Sequence, residues 1–321
     1  MDLIPLEQDK YQAILTDVHL YLDTLSPPLR AICHSYIGPL SERAFVKMMS
    51  LLPYWLVDCL QTDEGVNHQL GLAHFYCCWY YHAQDDLLDE ETSTATVLGA
   101  HLALLKMVEI YQGLGVTTSS VWSEFQRLSQ TSAETYALEM TSRFRTLDEL
   151  TLERLAGLTL TFVGDRVTPF YFNTVAQCHL AGLAPDHPTT IALTTALRCT
   201  LAARQIGDDA GDWLEDLQAG QLTYVTAHLI RRVYDQQIIA PTQELTLERL
   251  AAYQVRDEPF WLNIEQTTYK LHQQALAALA DFAADAFRCR LIETQIAQHT
   301  IGWEMDRTRR ATWRQMFGLV V

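Results

Sequence analysis

The chain has 321 residues, 49% hydrophobic and 10% aromatic, which suffices for a packed core and argues against disorder. Its 23 basic against 39 acidic side chains give a formal charge of −16. The only lysines, Lys10, Lys47, Lys106 and Lys270, are scattered, so the basic stripe that nucleic acid requires is missing.

From the N-terminus, MDLIPLEQDKYQ has neither the basic n-region nor the apolar h-region of a signal peptide. The seven cysteines form no CxxC pair and suit neither a disulfide framework nor a zinc ribbon, which predicts a reducing cytoplasmic setting. Helical periodicity then runs through roughly 6–25, 41–60, 66–90, 95–113, 119–144, 148–163, 190–218, 222–236, 259–286 and 287–317. In the second of these, Phe45, Met48, Met49, Leu52, Leu56 and Leu60 keep the three-and-four spacing of one buried face. Two charge-free stretches, 65–84 and 167–185, contain Asn, Gln and His and read as buried helices, with no stable membrane insertion. Breaks fall at Ser26-Pro27-Pro28, Gly113 to Gly115, Gly182 to Pro188 and Ala240-Pro241. No hairpin signal, repeat or linker intervenes, so the expectation is one all-α domain over residues 1–321.

Two acidic clusters interrupt this apolar pattern. The first, Asp85-Asp86-Leu87-Leu88-Asp89-Glu90-Glu91, ends a helix carrying Phe75, Tyr76, Trp79, Tyr80 and Tyr81. Asp85 and Asp89 share a helical face, as do Asp86 and Glu90. The second places Asp208, Asp212 and Asp216 along one face over two turns. Like charges four residues apart oppose a helix by a few tenths of a kcal/mol per pair, a cost that bound cations remove. Hard divalent cations such as Mg²⁺ prefer carboxylate oxygens and share them with phosphates, which reverses the local sign for a polyanion. Solvated acidic helix ends are the plainer explanation for either cluster alone.

The segment WYYHAQDDLLDE resembles the first aspartate-rich motif of class I terpene synthases, and the second cluster is similar to their second metal motif. GWEMDRTRR resembles the C-terminal pattern of bacterial members: Trp303 and Arg309 match, while Arg310 stands where Tyr is usual. The resemblance implies the single-domain isoprenoid-synthase helical bundle with a central active-site cavity, three Mg²⁺ ions and a prenyl diphosphate substrate. By the same likeness Asp85 and Asp89 would bind two ions, Asp86 would support them, and Asp208, Asp212 and Asp216 would bind the third. The implied activity is that of a carbon–oxygen lyase acting on a phosphate ester. It would ionise a linear or bicyclic allylic diphosphate, with a lean to twenty carbons, and quench the cation by proton loss or water.

Expelling diphosphate also needs basic donors, and arginine suits because its fork serves two oxygens. Arg309 and Arg310 are candidates by motif. Arg166, between Gly164 and Pro169 where a helix should break, is a third; the alternative for it is an ion pair with Asp165 or Glu153. The carbocation would need aromatic and apolar walls. Counting back from Asp85 gives Tyr81 or His82, then Cys78, then Phe75, and the second helix offers Leu201 and Leu197. Each suits plain core as well, and His82 is either a base or a buried partner of a neighbouring helix. Gly207 and Gly211 each weaken a helix by about 1 kcal/mol, so close approach by backbone or substrate is expected there.

Two relatives of the same fold are the rivals. Chain-elongating prenyltransferases carry an N-terminal Gly-Lys-x-x-Arg and an Arg-Arg pair soon after the first motif. Here no lysine or arginine follows DDLLDE until Lys106. For squalene or phytoene synthases, DWLED with AGQLTY fits the second motif, but YFNTVAQCHLAG lacks Tyr-x-x-x-Ala-Gly. A homodimer, and an upstream class II cyclase supplying a bicyclic substrate, complete the partner expectations.

Overall fold

The computed structural model describes residues 3–89, 92–236 and 245–316, and the backbone alone at Asp148. Glu90, Glu91 and the Ala240-Pro241 break lie outside the described residues. The helices in chain order begin with α1 (Pro5–Asp23), α2 (Pro27–Glu42), α3 (Ala44–Trp55), α4 (Val57–Leu60), α5 (Glu64–Leu88) and α6 (Thr96–Gly113). There follow α7 (Trp122–Ser142), α8 (Leu152–Ala156), α9 (Leu160–Arg166), α10 (Phe172–Leu180) and α11 (Pro188–Gln218). The last are α12 (Tyr224–Asp235), α13 (Leu247–Arg256), α14 (Glu258–Ala278), α15 (Asp285–Phe287) and α16 (Thr294–Met316). Among the described residues there is no strand, and no helix is long and apolar enough to cross a membrane.

Contacts gather the chain into two compact units. The first comprises Met1–Arg127, Pro169–Thr194 and Asp281–Leu291. At its centre α5 packs against α3 and α6. Asp63 caps α5 by accepting from the Val66 N–H at 2.8 Å. With no charge between 65 and 84, the helix is free to bury Leu70, Phe75, Tyr76, Cys78 and Trp79 around most of its circumference. Gly71 permits the close crossing with α3, since a Cβ there would lie 2.6 Å from the Ser50 carbonyl oxygen. Buried Glu7 ties α1 to α3 by accepting from Trp55 Nε1 at 2.9 Å, and it also accepts from Arg290 Nε at 2.7 Å. Helix α2 was not expected: Pro27-Pro28 reads as a break, but proline at the first helical positions starts a helix.

The second unit comprises Leu128–Thr168, Thr195–Ala280 and Ile292–Val321. Its core joins Ile206, Ala210, Trp213 and Leu217 of α11 to Leu229 and Val233 of α12, Ile264 of α14 and Trp303 of α16. The single helix expected over 148–163 is instead two short ones. Thr151 and Thr159 each cap a new start by accepting from the N–H three residues on, and Gly157 stands between them. Gly220, at φ +72°, turns the chain after α11, and its carbonyl accepts from the Phe144 N–H at 3.0 Å.

Candidate functional site

The first acidic group closes α5 in the first unit, where the helical bonding carries through to Asp89, whose N–H donates to the Asp85 carbonyl at 3.0 Å. All three aspartates are half-buried. Asp86 accepts from the Tyr36 hydroxyl of α2 at 2.6 Å and pairs with Arg43, at the start of α3, at 3.4 Å. Burial and the bond to Asp86 push the Tyr36 phenol well up, which keeps it protonated as the donor. Arg43 also lies 3.1 Å from His82 Nδ1. A guanidinium only donates, so that nitrogen accepts and the imidazole is neutral with its proton on Nε2. Phe45 meets His82 edge-on at 5.7 Å and Phe170 at 5.0 Å, and Phe170 meets Tyr81 at 5.8 Å. Phe75 and Cys78, further back on α5, are fully buried core.

The second acidic group lies in the second unit. Asp208, Asp212 and Asp216 share one face of α11, with Asp209 beside them and buried to 6% exposure. Asp208 pairs with Arg204 one turn back at 3.2 Å, and Asp209 accepts from Gln205 Nε2 at 2.9 Å. Arg166 ends α9 where the chain breaks at Val167, and it pairs with Glu139 of α7 at 3.5 Å. The guanidinium lies 5.3 Å from the centre of the Tyr136 ring, and the backbone carbonyl of Arg166 accepts from Ser132. Burial raises the Asp209 carboxyl to about 7, against the pull of Gln205 and Arg166. Burial, then Asp209 and Asp212, raise Asp216 to about 8. Negative charge here exceeds what Arg166 and Arg204 neutralise. Leu197 and Leu201, earlier on α11, are buried.

The donor set suits a hard cation in its chemistry: oxygen ligands with an excess of negative charge. No three His, Cys, Asp or Glu side chains among the described residues converge as a ready-made metal cage.

Arg309 and Arg310 stand elsewhere. Both line a cavity with Ala210, Gly211 and Leu214, the reverse face of α11 from the aspartates. Arg310, 4% exposed, pairs with Glu258 at 3.3 Å, and Arg309 with Asp306 at 2.8 Å. Sequence reasoning also missed Arg43, Tyr36, Glu139 and Asp209. Glu139 had a signal: it continues the buried stripe Phe125, Leu128, Ser132, Thr135 on α7, where a carboxylate is out of pattern. Arg43 had none, because its distance from Asp86 along the chain hides their contact.

No protein-family profile and no curated protein matches the chain. Solved structures do. A decaprenyl diphosphate synthase from Rhodobacter capsulatus superposes with TM-score 0.66 at 15% identity, covering 93% of this chain and 99% of that one. A geranylgeranyl pyrophosphate synthetase from the archaeon Geoglobus acetivorans gives 0.61 at 16%, covering 90% and 98%. A farnesyl diphosphate synthase from T. brucei gives 0.52 at 12%, covering 92% and 96%. At these identities the likeness establishes the fold: the chain has the all-α architecture of isoprenyl diphosphate synthases. It also corrects the lyase reading, because the neighbours are transferases that make prenyl diphosphates. The error has a physical source. Carboxylates that hold a cation against diphosphate serve cyclisation and chain elongation alike, so the acidic motifs do not separate the two.

Proposed function

We propose that the chain is a Mg²⁺-dependent prenyltransferase that joins an allylic prenyl diphosphate to a second isoprenoid unit. The C–O bond to diphosphate breaks with its electron pair on the leaving oxygen. A C–C bond forms from the acceptor's alkene, and a proton is lost from the acceptor. The observation that carries this reading is the aspartate face of α11, with raised carboxyls around Arg166, in a chain of isoprenyl diphosphate synthase fold.

Asp208, Asp212 and Asp216 on α11 would hold Mg²⁺, as would Asp85 and Asp89 at the end of α5, and the ion would supply positive charge to a leaving diphosphate. Asp86 is committed to Tyr36 and Arg43 and orients the end of α5. Arg43 supplies the basic group that the sequence downstream of the first motif lacks. Its guanidinium, 42% exposed, has donors to spare for a diphosphate oxygen. Arg166 offers the same chemistry beside α11. Phe45, Tyr81 and Phe170 present an aromatic wall near the first group that tolerates a prenyl chain and excludes water. His82, neutral and held by Arg43, is suited to accept a proton only after that contact opens.

Asp208→Asn tests the reading. With allylic and isopentenyl diphosphates and saturating Mg²⁺, diphosphate release should fall by roughly 100-fold or more, the scale for lost electrostatic stabilisation. Unchanged release would overturn the assignment.

A further inference from the structure

The second unit contains a cavity of about 1020 Å³ that the aspartate face does not reach. Its walls are the reverse face of α11, the length of α13, Trp261 of α14 and the last turns of α16. The lining is mostly apolar, and Trp213, Trp261 and Trp313 contribute broad rings. Gly211 opens it further, since a Cβ there would meet no atom within 4 Å. Its volume lies at the upper end of small-molecule sites, roughly 300–1,000 Å³.

Charge divides the cavity into two ends. Glu248 lies in the first turn of α13 and Arg256 is its last residue, eight positions on and roughly 12 Å away at 1.5 Å per residue. Backbone N–H donation at the helix start holds the Glu248 carboxylate low and occupies it. The opposite end carries Arg256, Arg309 and Arg310 against one lining carboxylate, Asp306. Arg256 makes no ion pair among the described residues. Arg310 lies 5.0 Å from the centre of the Trp261 ring, on the helix that begins just past Arg256, and Arg309 lies over Trp313 at 5.5 Å. Arg309 keeps Asp306, which also lines the cavity, and Arg310 keeps Glu258, so Arg256 is the guanidinium at this end whose donors no ion pair takes among the described residues.

We propose that this cavity binds an isoprenoid chain through its phosphate head, with the head at the Arg256–Arg309 end and the tail along α13 and α11. The choice of an isoprenoid tail rests on the prenyltransferase reading; the apolar wall and basic end do not. Such a site would hold a prenyl phosphate on the side of α11 away from its aspartates.

The three tryptophans make the test direct. Farnesyl phosphate is titrated into the full-length protein in EDTA, so that no cation bridges the head to the aspartates, and tryptophan fluorescence is followed. A saturable change should appear. It should be lost in Gly211→Leu and in Ala252→Trp, which fill the cavity from two walls, with melting temperatures confirming that each folds. Arg309→Gln should weaken binding roughly tenfold, the worth of one charge-assisted hydrogen bond. Farnesol and palmitate, which lack the phosphate or the branched chain, should bind more weakly. No saturable change, or one that survives both filling variants, would overturn the site. Farnesol or palmitate binding as tightly as the phosphate would overturn the assigned ligand. Neither result depends on turnover, so failure here is distinct from failure of prenyl transfer.

Discussion

Around Arg166 the carboxylates of Glu139, Asp208, Asp209 and Asp216 outnumber the guanidinium. The Arg166–Glu139 pair is largely withdrawn from water, at 13% and 7% side-chain exposure. Removing one partner of a buried pair leaves an uncompensated charge and costs about 3–5 kcal/mol. Arg166→Met should therefore destabilise the protein by that amount in urea unfolding, and adding Glu139→Gln should recover part of it. A loss below about 1 kcal/mol would place the pair with exposed ones. Two glycines on the same helix should respond with opposite signs. At Gly207 an added Cβ would lie 2.8 Å from His299 Nε2, and His299 is itself held by His272 at 2.9 Å. Gly207→Ala should cost about 1–3 kcal/mol through overpacking. At Gly211 nothing lies within 4 Å, so Gly211→Ala should stabilise by up to about 1 kcal/mol. Thermal denaturation of the two variants decides it.

At the scale of elements, α11 was the most legible part of the chain. Its carboxylate spacing survives as one face, and its apolar residues form the core of the second unit. The stripe on α3 and the charge-free run of α5 were legible for the same reason: burial follows helical period. What failed to show was punctuation. Pro27-Pro28 begins α2 rather than ending a helix, and α13 was missed altogether. Between Leu147 and Arg166 the threonine caps decide, not the apolar pattern. Thr159 accepts from the Phe162 N–H at 3.5 Å, and Thr159→Ala should cost about 1 kcal/mol, read from the shift in urea midpoint. No measurable shift would mean that α9 starts without its cap. The shared helical faces of the acids were legible, and their hydrogen-bond and ion-pair partners were not. Arg43 and Glu139 reach their carboxylates from other helices, a contact that no local spacing encodes.

At the scale of the whole molecule, the raised carboxyls give a pH signature in the metal-free protein. Asp209 and Asp216 titrate near 7 and 8 when folded, above the ordinary carboxyl value of 3.8. Their contribution is full below that value and is lost as pH rises through 7 and 8. His74, His272 and His299, lowered to about 4 by burial, act oppositely, adding stability as pH rises towards 6.5. Between about pH 6.5 and 8.5 the carboxyls dominate, so melting temperature in EDTA should fall across that interval. Asp216→Asn should flatten the fall, and Mg²⁺ should reduce it. A melting temperature that rises across the interval in EDTA would contradict the crowding of these carboxylates.

Prenyl transfer is tested most directly by the length of the product. Purified protein with Mg²⁺ is given ten-, fifteen- or twenty-carbon allylic diphosphates, with and without isopentenyl diphosphate, and the products are dephosphorylated and read by mass spectrometry. Prenyl transfer predicts alcohols longer by five carbons, or multiples of five, only when isopentenyl diphosphate is present, and their loss in Asp85→Asn. Products of unchanged carbon number, formed equally without isopentenyl diphosphate, would contradict it.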